Sequence, residues 1–363
     1  MSDEFTHFLA GRSAAMTTIA PGIETPLRFS TVEREHFATR RAAGLFDFSF
    51  MCCIEITGPG STAFLHALQT RTLDAMAGGR IAYTLLLRDD GTVIIDATVW
   101  RFADNRYWLF TGRRADFDYV AAVARDFDVT LVNRSGRQAV IAVQGSTSIG
   151  ILEMALNNRS IRTLPWFGFI SLPFAGVDCR LARIGYSGER GYELIIDNVA
   201  APALWQALLA AGANDGLLEC GFEATNALRI EAGHILFSSE LAAPVRPAEL
   251  SMDRLIDFHR SDFRGASAIH SARRQSPARR LVGLLPGHRI ASAASGPPIV
   301  RQGRGALSSA AWSPLLEKNL ALGFVHADDA YPGTMVKLAC GTSAQVARLP
   351  FYDPGRVLLR RGD

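Results

Sequence analysis

Cysteine is scarce in this chain of 363 residues, and what little there is forms no recognisable set. Cys52, Cys53, Cys179, Cys220 and Cys340 include no C-x-x-C pair, so neither a disulfide framework nor a zinc-type ligand set is indicated. They read as buried, reduced thiols. The eight histidines show no H-x-x-x-H spacing, which leaves a metal site without support. No apolar run approaches the ~20 residues of a membrane span. The start of the chain, with Asp3 and Glu4, lacks the basic-then-apolar signature of a secretory signal. A cytoplasmic protein with no membrane partner is therefore expected. Charge of one sign is missing too: the net charge is +3, with no Lys/Arg-rich run, which argues against nucleic acid as a partner and leaves room for an anionic small molecule. Repeats and low-complexity tracts are absent.

What is present is an ordinary globular composition, long enough for two or three packed units. Residues 1–25 read as a loose N-terminal arm. A helix is expected over 31–43, ending at Gly44, and a strand over Cys52-Cys53-Ile54-Glu55-Ile56-Thr57. Pro59-Gly60-Ser61 then starts a helix whose apolar stripe is Ala63, Phe64, Ala67 and Leu68. Segments 81–87 and 93–101 read as a hairpin turned at Asp90-Gly91, followed by a strand over 107–111 and a helix over 115–125. This succession predicts an α+β sandwich rather than a doubly wound sheet. Two strands after Pro165 and helices over 201–211 and 222–232 complete a region spanning 26–275. From 276 to 363, short strands such as 280–285 and 335–338 alternate with Gly, Pro and Ser turns, the pattern of a small β-barrel.

Three places carry candidate chemistry. On the strand after the hairpin turn, Val93, Ile95, Ala97 and Val99 make an apolar face, leaving Asp96 on the other with Ile94, Thr98 and Trp100. A two-residue turn pairs Leu85 with Asp96 and makes Tyr83 its diagonal neighbour. A four-residue turn pairs Tyr83 with Asp96 directly, and a three-residue turn without a bulge separates them. An aromatic beside a carboxylate suits a flat heterocyclic ligand; a solvent-facing mixed strand is the alternative. The second place is Gly185-Tyr186-Ser187-Gly188-Glu189-Arg190-Gly191-Tyr192-Glu193. Its G-x-x-G-x-x-G spacing leads into a strand, so it is no phosphate-cradling motif. The glycines are expected to permit positive φ beside a ligand. Glu193, out of phase with Tyr192, Leu194 and Ile196, could accept paired hydrogen bonds from a pterin, or simply lie exposed on an edge strand. The third is the helix ending at Gly233. Glu231 continues an apolar stripe through Ala224, Ala227 and Leu228, and should be paired if buried. Arg229 lies round the helix from it, free to reach a ligand, to pair with Glu193, or to sit solvated near the helix C-terminus.

Beyond these residues the chain resembles the glycine-cleavage T-protein (aminomethyltransferase) family. Gly44-Leu45-Phe46-Asp47-Phe48-Ser49 is similar to that family's G-L-F-D-V-S, and Val143-Gln144-Gly145 to its V-Q-G-P. Asp262-Phe263-Arg264-Gly265 resembles its D-F-I-G, and Trp312-Ser313-Pro314 its later S-P signal; the likeness runs collinearly over about 27–355. The resemblance implies a three-domain cloverleaf, with a ferredoxin-like α/β sandwich core and a C-terminal β-barrel, around a tetrahydrofolate pocket. It makes Asp96 the catalytic aspartate and a folate contact. Tyr83 and Tyr186 become pocket aromatics, Glu193 the pterin reader and Arg229 a pocket arginine.

Departures from the family pattern fall elsewhere. Ile95 replaces the first of two hairpin aspartates, Ala224-Thr225-Asn226 stands for A-R-D, Ser49-Phe50-Met51 for S-H-M, and Phe237-Ser238-Ser239-Glu240 for Y-G-x-E. The segment Pro350-Phe351-Tyr352-Asp353-Pro354 is closer to the folate domains of sarcosine and dimethylglycine dehydrogenases. These differences favour a demethylase-like enzyme moving a methyl or methylene group from a small methylated donor. The alternatives are aminomethyl transfer in a glycine cleavage system, with a carrier protein or a dehydrogenase as partner, and a non-catalytic folate-binding or iron–sulfur assembly protein. The thiol of the assembly factors' K-G-C-x-x-G-Q-E stretch is missing from Gly233–Glu240.

Overall fold

The computed structural model describes residues 4–290, 303–339 and 341–360. Two antiparallel-dominated sheets stack face to face, each backed by helices on its outer side, and a barrel packs against their end. The first sheet runs in the order Phe169–Phe174, Val177–Ala182, Gly191–Asp197, Gln138–Gln144, Ala43–Asp47, Leu217–Glu219. The second runs Arg80–Leu87, Val93–Ala103, Arg106–Thr111, Cys52–Thr57, Thr130–Asn133. All of the second sheet is inserted in sequence between Ala43–Asp47 and Gln138–Gln144, so the two halves are interleaved. Among the described residues, the strands Arg279–Pro286, Lys318–His326, Arg304–Ser313, Met335–Leu338 and Ser343–Ala347 close into a barrel. The α+β expectation and the C-terminal barrel both hold.

Period-two alternation assigns each face. Tyr192, Leu194 and Ile196 face outward under Trp205 and Leu208 of the helix Ala201–Ala211. Their neighbour Ile195 faces inward with Phe46, Val140 and Ala142, against Trp100, Trp108 and Phe110 of the second sheet. On that sheet's outer side Ile54, Ile95 and Val99 meet Phe64, Leu65 and Leu68 of the helix Ser61–Leu68. A further core joins Leu85 and Val93 to Ile230 and to Leu320, Leu322 and Phe324 of the barrel.

Two expectations fail. Residues 1–25 are not a loose arm: from Glu4 onward they form the helix Glu4–Ala10 and a hairpin of Ala15–Ala20 with Ile23–Arg28. The anchor is apolar, because Phe5 and Leu9 are fully buried against Trp205 and its neighbours. Nor does Gly44 end a helix. The helix Val32–Arg41 is capped by Thr31, whose hydroxyl accepts from Arg34 N at 3.3 Å, and Gly44 lies inside the following strand. A Cβ there would stand 2.3 Å from Thr39 Oγ1 and 2.9 Å from Cys220 Sγ, so close packing, not chain termination, explains the residue. Cys52, Cys53, Cys179 and Cys220 are free and buried, as expected; Cys340 lies outside the described residues. Among the described residues no helix is long and apolar enough to cross a membrane.

Buried charge ties the layers together. The Glu231 carboxylate accepts from Arg40 Nε at 2.9 Å and Nη2 at 2.6 Å, and lies 2.7 Å from His36 Nε2. Ser313 of the barrel also donates to it. Arg40 donates onward to Ser187 O at 3.0 Å and Glu189 at 2.8 Å, and stacks on Tyr352. Removing one partner of such a buried set leaves the others desolvated and unpaired. Arg40→Met should therefore lower the unfolding free energy by about 3–5 kcal/mol, seen as a lower urea midpoint. A loss below ~1 kcal/mol, the scale of an exposed pair, would show that this cluster does not hold the layers.

Candidate active site

The Asp96 strand alternates as read from Ile95 onward: Ile95, Ala97 and Val99 share one core, while Asp96 and Thr98 open inward beside the first sheet. Val93, before the bulge, leaves the expected face and packs with Leu85 and Leu87 in the opposite core. Asp96 pairs with Leu85, and Tyr83 with Thr98, the register of a two-residue turn reached by another route. Arg88 N donates to Thr92 O at 2.8 Å around a three-residue tip, Asp89 to Gly91. A bulge between the Leu86–Ile95 and Leu87–Val93 pairs restores the register that such a tip would have shifted. The Asp90 carboxylate fixes the tip by accepting from Thr92 N at 2.9 Å and Thr92 Oγ1 at 2.6 Å, and Gly91 supplies φ +78°. Tyr83 accordingly reaches diagonally to Asp96, its hydroxyl donating to Oδ2 at 2.8 Å. Burial raises the Asp96 carboxyl above the ordinary carboxylate range, with the Tyr83 hydrogen bond opposing it. Burial, then the Asp96 charge, pushes the Tyr83 phenol well up.

The glycine turn is built differently from expectation. Only Gly188 of its three glycines takes positive φ, at +86°. Gly185 and Gly191 enclose the Gln144 carboxamide: a Cβ on either would stand 2.0 Å or 2.2 Å from its Oε1. That oxygen accepts from Ser187 Oγ at 2.9 Å. The glycines thus accommodate a buried amide of the neighbouring strand rather than a ligand. The turn in turn holds Tyr186, whose ring stacks on His234 with centroids 5.6 Å apart and whose hydroxyl donates to Ile235 O.

Glu193 faces inward on the first sheet, paired in register with Ala142 and Ala182. It is buried, and among the described residues its carboxyl has no hydrogen-bond or ion-pair partner. Burial alone pushes it up to about 8. The edge-strand alternative is excluded, since the strand Gly191–Asp197 lies between two others. Arg229 is placed otherwise than expected. Its guanidinium donates to Asn226 Oδ1 at 3.0 Å, His234 O at 3.0 Å, Glu240 Oε2 at 2.9 Å and Ser309 Oγ at 2.6 Å. It neither pairs with Glu193 nor lines the cavity; it braces the wall from behind.

A cavity of about 910 Å³ between the two sheets, the segment after the helix Phe222–Glu231 and the C-terminal segment collects Tyr83, Asp96, Tyr186 and Glu193 on its lining. Phe50, Phe167, Phe222 and Phe237 add apolar wall, and Arg71, Arg80, Arg254 and Arg356 add positive charge. Sequence reasoning missed these arginines and His234. They come from four separated segments, and no spacing rule unites them.

The family model described as the GCVT N-terminal domain matches residues 5–260, and the glycine cleavage T-protein C-terminal barrel domain matches 279–353. The chain belongs to the glycine-cleavage T-protein family. It is accordingly a tetrahydrofolate-dependent one-carbon transferase. An aminomethyltransferase of Streptomyces avermitilis is 37% identical over 93% of this chain and 94% of its own length. One from Cutibacterium acnes is 35% identical, over 93% and 95%. The fold is that of the glycine cleavage system aminomethyltransferase T of Bartonella henselae, with a TM-score of 0.82 at 24% identity, covering 96% of this chain and 97% of that one.

The orphan carboxyl makes a pH prediction for this T-protein family member. Between its ordinary 4.5 and about 8, Glu193 binds more protons folded than unfolded. Its contribution to stability is whole below the lower value and is lost as pH rises through the upper one. The Glu193→Gln protein should therefore gain thermal stability over the parent progressively from pH 5 to pH 8. A melting difference that does not change over that range would contradict the burial of an unpaired carboxyl.

Proposed function

We propose that this protein transfers an aminomethyl-derived carbon from a lipoyl-bearing carrier protein to tetrahydrofolate. The observation that carries the folate part is Glu193, a buried carboxyl on the wall of a large cavity with no partner among the described residues. A group so placed is stabilised by a ligand presenting adjacent N–H donors, as the amino group and ring nitrogen of a pterin do. Tyr83 and Tyr186 give flat surfaces beside it. Tetrahydrofolate, when bound, supplies the nucleophilic nitrogen N5.

The chain's own contribution is positioning and charge. Asp96, oriented by the Tyr83 hydroxyl and largely desolvated, sets a fixed negative charge where a reacting nitrogen turns positive, and such preorganised charge acts most strongly away from water. The aromatic wall excludes solvent. Arg229 acts at a distance by holding the carbonyl of His234 and the loop that follows. For the donor, whole-length similarity to aminomethyltransferases favours the carrier-protein reading over the small methylated compound that Phe50, Ile95, Thr225 and Ser238 had favoured.

The deciding experiment supplies tetrahydrofolate with aminomethyl-loaded carrier protein and, separately, with a panel of N-, O- and S-methyl compounds. Ammonia and methylene-tetrahydrofolate from the carrier are expected. Product from a methyl compound alone would return the donor to the demethylase class. Asp96→Asn keeps size and much of the hydrogen bonding but removes charge, and should lower single-turnover transfer at least about a hundredfold. Folate affinity should stay near normal, because the charge favours the transition state over the bound ground state. Undiminished transfer would reduce Asp96 to a strand residue.

A further inference from the structure

His234 is a polar side chain on the cavity wall that nothing in the fold accounts for. Its Nε2 is buried and has no hydrogen-bond partner among the described residues, although a buried ring nitrogen left unpaired costs about 1–3 kcal/mol. Its placement is nonetheless closely determined. Gly233 before it takes φ +68°, its carbonyl accepts from Arg229 at 3.0 Å, and its ring lies on Tyr186 with 16° between planes. The next carbonyl, of Ile235, accepts from the Tyr186 hydroxyl. A ring held from three sides with an unused nitrogen is arranged for a ligand.

The charges around it indicate which part of the ligand. Burial, followed by the charges of Arg356, Arg229, Arg254 and Arg40, lowers the imidazole to about 3, so it is neutral at any working pH and keeps one N–H and one lone pair. Tyr186, beneath it, also feels Asp96, whereas no carboxylate figures among the main influences on His234. Arg254 and Arg356 line the same cavity and have no ion-pair partner among the described residues. His234 thus shares its part of the cavity with these two arginines, whose charges also reach Tyr83. With the pterin at Glu193, the arginines suit the anionic p-aminobenzoylglutamate portion of the folate. Carbonyl and carboxylate oxygens of that portion can only accept.

Resting on the folate reading above, we propose that His234 is a specificity-determining folate contact whose Nε2–H donates to an oxygen of the p-aminobenzoylglutamate portion. The role belongs to this chain's own residue and needs neither a change of charge nor a proton transfer.

The test compares tetrahydrofolate with 6-methyltetrahydropterin, which keeps the pterin and lacks the rest, by calorimetric titration. His234→Phe preserves a ring to stack on Tyr186 and removes the hydrogen bond; His234→Gln restores an N–H donor. Tetrahydrofolate should bind about three- to tenfold more weakly to the Phe variant, the scale of one net hydrogen bond, with tetrahydropterin affinity unchanged and a partial recovery in the Gln variant. Equal weakening for both ligands, or none for tetrahydrofolate, would overturn the assignment. Failure of the parent protein to bind either ligand would instead strike down the folate reading, and this inference with it.

Discussion

The carboxylate of Glu231 is the point from which the cavity is assembled. Burial alone would raise it, but His36 and Arg40 outweigh that effect and hold it below its ordinary value, so it stays ionised at the centre of the chain. Four separate segments meet there. His36 and Arg40 bring the helix Val32–Arg41, and Arg40 carries the glycine turn through Ser187 and Glu189. Ser313 brings the barrel, and the Glu231 carbonyl accepts from both Phe351 N and Tyr352 N, fixing the C-terminal segment. Two residues before it on the same helix, Arg229 repeats the device with Glu240, and Ser308 and Ser309 of the barrel donate to the Glu240 carboxylate. Charge this deeply buried is tolerable only when every partner is present, so the clusters fix one arrangement of sheets, helix and barrel.

Against that background, the unpaired groups stand out. Glu231 and Glu240 are saturated with donors, while Glu193, also buried, has none among the described residues. The difference separates carboxylates that hold the protein from one that awaits something. Glu193 and the Nε2 of His234 are both cavity groups for which the described residues supply no partner, and they line the same cavity as the Tyr83–Asp96 pair. The cavity therefore offers a ligand several kinds of polar group at once: an unpaired carboxyl, a second carboxyl held by a tyrosine, an unpaired imidazole nitrogen and arginines.

Much of this was legible in the sequence where local rules act alone. Period-two alternation set Asp96 and Glu193 on the faces opposite their apolar neighbours, leaving open whether those faces met a ligand or solvent. The apolar stripe through Ala224, Ala227 and Leu228 foretold that Glu231 would be paired if buried. What escaped was set by contacts between distant segments. Gly185 and Gly191 looked like ligand-facing hinges because the reason for them, Gln144, lies some forty residues earlier in the chain. Arg229 looked free because its partners Glu240 and Ser309 belong to a loop and a barrel strand. The first 25 residues looked loose because six-residue strands and a seven-residue helix carry little periodic signal, and Phe5 and Leu9 find their pocket only once Trp205 is in place.

The hairpin shows why such failures need not propagate. A three-residue tip, taken alone, moves Asp96 out of reach of Tyr83, and the inserted residue at Ile94 moves it back. Ile94 is half-buried and lies beside the outer core of the second sheet, so the bulge costs little there while keeping Val93 and Ile95 in their cores. Hydrophobic placement decides: a one-residue slip would turn every apolar side chain of Val93–Ala103 to the wrong face. The same burial pattern that makes the strand therefore holds Asp96 within reach of Tyr83, and the turn is free to vary as long as a bulge compensates for it.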